Sequence, residues 1–186
     1  KVIKKARISS FDKIGVIGAG GGLGIHMLKM LKLNNISTIG IDTKTEKFDV
    51  CNENGAEFSV SPMENDLNNK LADYTQGNDL DVVIDFVSSK SSLELGASIL
   101  GKGGRLVTLG GSGEQFLANS ADMLVKELEL IGSRYCTKQE LKESLDLYAR
   151  GLIKPLISHK TDLNGADDLH NKIETGDIIG RAGILI

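Results

Sequence analysis

The segment Gly18-Ala19-Gly20-Gly21-Gly22-Leu23-Gly24 carries the most direct implication for chemistry in this sequence. Glycines let a backbone turn tightly and bring its amides close to a bulky anion. A helix that opens at such a turn adds unpaired N–H donors and partial positive charge. Here the apolar run Ile14-Gly15-Val16-Ile17 precedes the turn and a helix-forming stretch follows it to about Leu33. That strand–turn–helix setting is the one in which clustered glycines hold a diphosphate. The spacing departs from the strict G-x-G-x-x-G form: Gly18 and Gly20 fit its start, but Leu23 stands where the third glycine belongs. Gly18, Gly21 and Gly24 read instead as a G-x-x-G-x-x-G turn with one inserted residue. For the glycines taken alone, a flexible loop is the alternative.

Asp42 closes the next apolar run, Ile36–Ile41, about 18 residues after Gly24. Dinucleotide sites place a ribose-binding acid roughly 20 residues beyond the turn. A carboxylate there accepts hydrogen bonds from both ribose hydroxyls of NAD and repels the 2′-phosphate of NADP. Thr43 supplies no guanidinium for such a phosphate, whereas Lys44 and Lys47 leave NADP open. Asp42 could alternatively cap a helix running from Lys44. The remaining reactive side chains, Cys51, Cys136, His26, His159 and His170, have no metal-ligand spacing and no nucleophile motif, so neither a metal site nor a catalytic triad is expected.

These groups must be positioned by alternating elements. Strands are predicted over Lys13–Ile17, Ile36–Ile41, Phe58–Val60, Val82–Phe86, Arg105–Leu109 and Leu128–Ser133. Helical stretches are expected over Lys44–Glu53, Leu67–Tyr74, Leu93–Leu100, Ala121–Lys126 and the amphipathic Lys138–Arg150. Strands separated by helical crossovers imply a parallel sheet, and continuous apolar strands such as Val82-Val83-Ile84 imply that both its faces are covered. The expected fold is a doubly wound α/β sheet in three layers, the Rossmann fold. Residues 1–155 would form the nucleotide-binding domain. The alternation breaks after Pro155, so residues 156–186, with a helix ending near Glu174 and a last strand at Ala182–Ile186, are expected to leave this sheet for another one.

Composition narrows the function classes. The 186 residues, 40% hydrophobic and 25% charged, suit one ordinary globular domain. A net charge of −3, with lysines interspersed among acids, argues against nucleic acid and anionic membranes as partners. No apolar run approaches the roughly 18 residues of a membrane span. With unpaired cysteines and no signal-peptide pattern, a reducing cytoplasmic compartment is expected. The start at Lys1 rather than Met suggests a piece of a longer chain.

Taken together, these residues resemble the medium-chain, zinc-containing alcohol dehydrogenases. The likeness runs through Gly18–Gly24, Ile39-Gly40-Ile41-Asp42, Asp81–Val87, Gly104–Gly110 and Leu130–Tyr135. It is most specific at Leu147–Pro155 and at Glu174–Arg181, with its Gly176-Asp177-Ile178-Ile179-Gly180-Arg181. The triple glycine before Leu23 is similar to microbial, NAD-linked members. The resemblance implies that Asp42 binds the adenosine ribose with Lys47 beside it, and that Phe86 and Val87 wall the adenine side. Leu109, Gly110 and Gly111 would approach the nicotinamide, with the backbones of Ser133 and Tyr135 holding its carboxamide. Arg181 would reach the pyrophosphate. Phe86, Val87 and Leu109 could instead be core, and Arg181 a solvated surface cation.

Strand 128–133 resembles the family's dimer strand, implying a homo-oligomer, with an interior strand as the alternative. The family's zinc ligands lie upstream of the matching region and none stands here. Lys1–Ile8 resembles the end of the helix that joins the two halves of such an enzyme. The implied parent is an NAD-dependent alcohol dehydrogenase, moving hydride between a small alcohol and its carbonyl, with zinc only in the catalytic half. This chain alone would bind coenzyme without turnover. Two alternatives stand beside it: an NADPH-dependent, zinc-free quinone or enoyl reductase domain, and a non-catalytic NAD(H)-binding module.

Overall fold

Why the strands stack in parallel follows from where the helices fall between them. The computed structural model describes residues Lys1–Ile186. After a short helix α1 (Val2–Lys5), β1 (Ile14–Ile17) leads through the glycine turn into α2 (Gly24–Leu33), and β2 (Thr38–Ile41) leads into α3 (Phe48–Glu53). Then come β3 (Ser59–Val60), α4 (Leu67–Thr75), β4 (Leu80–Asp85), α5 (Lys90–Ser98), β5 (Leu100–Thr108), α6 (Ser120–Lys126) and β6 (Glu129–Gly132). These six strands form one sheet in the order β3-β2-β1-β4-β5-β6 with every pair parallel. This is the doubly wound arrangement the alternation predicts, and the strand order reverses between β1 and β4.

Apolar alternation along the central strands feeds both faces. Ile14 and Val16 of β1 and Val82 and Ile84 of β4 join Ile25, Leu28 and Leu31 of α2 in one buried cluster. Ile17 and Val83 face the other way, against Leu67 and Leu71 of α4 and Leu93 of α5. Each fully buried aliphatic side chain of this kind contributes about 1.5–3 kcal/mol. At the head of α2 the packing is tight enough to select a glycine. A Cβ on Gly24 would collide with the carbonyl oxygens of Gly18 and Ala19, the latter only 2.6 Å away, so the first helical position takes a glycine.

Past β6, α7 (Lys138–Ala149) is followed by β7 (Ile157–Thr161), α8 (Ala166–Glu174) and β8 (Arg181–Ile184). β7 and β8 pair only with each other, in a separate two-stranded sheet. Several boundaries differ from the sequence reading. α5 begins at Lys90 rather than Leu93, because Ser89 and Ser92 form a reciprocal capping box ahead of the first apolar residue. β5 begins at Leu100, a residue the apolar pattern assigns to the preceding helix, which ends instead at Ser98. α7 has its expected amphipathic pattern but buries no residue in this chain.

Candidate functional site

In a parallel sheet every strand ends on the same edge, so loops distant in sequence converge there. The register pairs Ile17 with Ile41 and with Asp85, Asp85 with Thr108, and Thr108 with Gly132. Gly18–Gly24, Asp42, Phe86 and Val87, Leu109 to Gly111, and Ser133 to Tyr135 therefore all emerge from that one edge, around the point where the strand order reverses.

The glycine turn presents donors. Gly18 adopts φ 73°, and Gly21 N–H folds back onto Gly18 O at 3.1 Å. The helix ladder of α2 is entered by Ile25 N–H to Gly21 O and Met27 N–H to Leu23 O. The amides of Gly22, Leu23 and Gly24 find no protein acceptor. Three unsatisfied donors at the head of a ten-residue helix form a ready anion site.

Asp42 is nearly buried, and its carboxylate spans the neighbouring loops. Oδ2 accepts from Gly20 N–H at 2.9 Å and Oδ1 from Lys44 N–H at 3.1 Å. Both readings of this residue thus have a counterpart: it braces the turn before the short 3-10 segment Thr45–Lys47, and it also faces the groove. Arg181 N–H donates to Leu156 O at 2.8 Å, but its guanidinium makes no hydrogen bond or ion pair, and Nε lies 2.7 Å from where a Gly22 Cβ would be. That free guanidinium stands directly beside the free amides.

A cavity of about 410 Å³ runs along these groups. It brings together Gly18, Gly21, Gly22, Leu23, Gly24 and Asp42 of the expected site. Lys47, Phe86, Val87 and Arg181 line it too. A second cavity, about 360 Å³, shares Gly18, Asp42, Thr43 and Val87 and continues toward Pro62, Met63 and Leu95. The two make one groove across the carboxyl ends of β1, β2 and β4. Cradle, carboxylate and guanidinium fit a dinucleotide's diphosphate and ribose.

Residues 22–150 match the family described as zinc-binding dehydrogenase. The chain belongs to that family. It is 26% identical over 182 residues to an NAD-dependent alcohol dehydrogenase of Sulfurisphaera tokodaii, covering 97% of this chain and 52% of that protein. An acryloyl-coenzyme A reductase of the same organism is 28% identical over 168 residues, covering 89% and 48%. Among solved structures, the alcohol dehydrogenase of the hyperthermophilic archaeon Aeropyrum pernix superposes with a TM-score of 0.89 at 27% identity, covering 97% of this chain and 52% of that one. The chain spans about half the length of the curated relatives it matches. The likeness to medium-chain alcohol dehydrogenases read from the sequence is borne out.

In this member of the zinc-binding dehydrogenases, the other expected residues lie along the same sheet edge, outside the two cavities. Leu109 packs partly into the core, and its N–H reaches Asp85 O at 3.1 Å. Gly110 N–H donates to Ser88 Oγ at 2.8 Å, and Gly111 is open to solvent. Ser133 N–H continues the β5–β6 ladder to Thr108 O, while its buried Oγ has no partner. Tyr135 is 81% exposed, with Arg134 over its ring at 4.5 Å. Lys47 is buried, and its Nζ donates to Ile178 O at 3.1 Å. No cluster of three His, Cys, Asp or Glu side chains could share a metal ion, so the residues present do not fit a zinc of their own.

Two groups go unnoticed in the sequence as site residues. Asp85 is fully buried at the end of β4, accepting from Val87 N–H, Ser88 N–H and Ser92 Oγ at 2.8, 2.9 and 2.7 Å. It shapes the loop that carries Phe86 and Val87. An acid ending an apolar strand before a run of serines is a signal that could have revealed it. His26 donates from Nδ1 to Gly22 O at 2.6 Å, holding the turn's carbonyl side, and burial pushes its pKa below the usual imidazole range.

Proposed function

We propose that this chain is the coenzyme-binding half of an NAD-dependent alcohol dehydrogenase. The observation that carries the reading is the meeting of three acceptor-less amides, Gly22 to Gly24, with the unpaired Arg181 guanidinium and the Asp42 carboxylate in one groove. The amides and Arg181 would hold the diphosphate, a charge-assisted arrangement that arginine's planar fork suits. Asp42 would receive the ribose hydroxyls on the lone pairs left by Gly20 and Lys44. Phe86 and Val87 would wall the adenine side. Leu109, Gly110, Gly111, Ser133 and Tyr135 would border the nicotinamide, with main-chain groups setting its orientation.

When bound, the nicotinamide supplies the hydride-exchanging carbon, and the protein contributes position and electrostatics. NAD is favoured over NADP because both lysines near Asp42 are already engaged, Lys44 with Asp177 at 3.2 Å and Lys47 with Ile178 O. The similarity to NAD-dependent alcohol dehydrogenases supports an alcohol or carbonyl substrate, with zinc supplied outside these residues. A second reading, reduction of an enoyl thioester, is favoured by the acryloyl-coenzyme A reductase relative. Two free thiols suit a reducing cytoplasm. Residues 1–155 would be the nucleotide domain, and 156–186 the segment returning toward a catalytic half.

Titration of the folded chain with NAD and NADP tests the coenzyme reading. Asp42→Ala should weaken NAD about tenfold or more and narrow its preference over NADP, each removed charge-assisted bond being worth about 1.5–3 kcal/mol. An unchanged NAD:NADP ratio would remove Asp42 from the ribose.

A further inference from the structure

Once Ser133 N–H has bonded to Thr108 O, the chain leaves the sheet through Arg134, Tyr135 and Cys136, and none of these three makes a backbone–backbone hydrogen bond. Tyr135 sits there at φ 49°, a left-handed conformation unfavourable for a bulky residue. The contacts that hold this exit segment come from the far end of the chain. Lys5 Nζ donates to Gly132 O, and Lys1 Nζ donates to Arg134 O at 2.8 Å. α1 can serve as the anchor because it is itself fixed to the sheet. Val2 and Ala6 are buried in the cluster against which Ile131 of β6 packs. Arg105 of β5 donates to Ala6 O at 2.7 Å and to Asp12 Oδ1 at 2.6 Å, tying down the carboxyl end of the helix. Lys4 pairs with Glu143 of α7 at 2.6 Å, and Arg7 pairs with Glu129 at the start of β6. α1 and its flanking residues thus run alongside β6 in the opposite direction: Lys1 meets Arg134, Lys5 meets Gly132 and Arg7 meets Glu129.

We propose that Lys5 is a positioning residue for the nicotinamide end of the groove, fixing Gly132 so that the main chain of Ser133 and Tyr135 meets the ring in one conformation. The inference rests on the coenzyme reading above and deepens it. Lys5 lines neither cavity, so it acts through the strand end and not on the nucleotide. A segment without backbone partners samples several conformations, and a ring that needs its main-chain groups in fixed places must order it at a cost in chain entropy. A lysine already tied to the last carbonyl of β6 removes part of that cost before the nucleotide arrives. The effect is confined to one end of the groove. Two strands, β4 and β5, separate β6 from β1, which carries the glycine turn, and Asp42 lies farther still at the end of β2.

Calorimetric titration of the full chain with NADH and with ADP-ribose, which lacks nicotinamide, separates the two ends of the groove. Lys5→Met should weaken NADH about fivefold, the net worth of one hydrogen bond, and leave ADP-ribose unchanged. Amide exchange followed by NMR without nucleotide reports the strand end itself. The Ser133 N–H, bonded to Thr108 O at 3.0 Å, should exchange faster in the variant. Lys5→Arg should restore both readouts, because a guanidinium also carries donors for a carbonyl. Lys5 faces solvent, so its substitution leaves the core intact. Should Lys5→Met nevertheless fail to fold, Lys1→Met frees Arg134 O in the same segment and should shift both readouts in the same direction. Unchanged NADH affinity, a loss shared equally by ADP-ribose, or unchanged Ser133 exchange would overturn the inference. A wild-type chain that binds neither nucleotide would instead overturn the coenzyme reading, while Ser133 exchange alone still decides whether Lys5 holds the segment.

Discussion

Individual side chains around the groove act mainly by satisfying backbone donors. Asp85 does so without any cation: three donors converge on a fully buried carboxylate. Asp85→Ala would leave the Val87 and Ser88 amides without their acceptor and the Ser92 hydroxyl with only Ser89 O. It should cost about 3–5 kcal/mol in urea unfolding, with loosened exchange at residues 86–88. A loss below 1 kcal/mol would mean that the loop is shaped by packing alone. Cys51 gives a pH signature. Burial pushes its thiol up to about 11 from an ordinary value of 9.0. Its proton is therefore released in the unfolded chain before the folded one, and its contribution to stability is lost as pH rises from 9 toward 11. Thiol titration at neutral pH should find the exposed Cys136 reactive and the buried Cys51 protected until unfolding. Equal reactivity would contradict the burial. The glycine turn and Asp42 were legible because their types and spacing are tied to one chemistry. Asp85 was not, because its signal, an acid ending an apolar strand before a run of serines, takes on a meaning only once its donors are placed.

At the level of strands and helices, the sequence reading placed the parallel sheet well, since continuous apolar runs such as Val82-Val83-Ile84 admit few other environments. Boundaries were harder wherever a polar cap outranks apolar periodicity. The start of α5 is set by Ser89 and Ser92, two residues that read as loop. Ser89→Ala should destabilise the domain by about 1 kcal/mol in thermal or urea melts. A neutral result would show the capping box to be dispensable. Because Ser92 also donates to Asp85, its replacement should cost more than that of Ser89. The amphipathic pattern read over α7 is present, and its apolar stripe is left uncovered in this chain. Leu141, Leu145 and Tyr148 remain 51%, 58% and 57% exposed. Periodicity reveals an apolar stripe but not whether the same chain covers it.

The assembled domain is one sheet with a groove along the carboxyl ends of its strands and a small second sheet folded back toward that groove. No helix is long and apolar enough to cross a membrane. β6 is the outermost strand on its side, with Leu130 half-exposed and Leu124 and Val125 bare on the preceding helix. An unpaired apolar edge favours pairing with a second copy, which is the proposed role of strand 128–133. Substituting Leu130 with Lys should shift the species seen by sedimentation toward monomer while leaving nucleotide binding intact. An unchanged sedimentation profile would discard that edge as the contact. Composition and periodicity do not disclose arrangement across long separations; here only the family likeness did, in sending Arg181 to the pyrophosphate. That residues 174–181 close over a turn at 18–24 depends on a tail whose own composition is unremarkable apart from its likeness to a family.

The most direct test is isothermal calorimetry of the folded chain with NAD and NADH, repeated with Arg181→Ala. The groove of free amides, carboxylate and guanidinium predicts saturable heat of binding to one site, reduced about tenfold in affinity by the substitution. Absence of binding heat from either nucleotide, in a chain shown to be folded, would contradict the account.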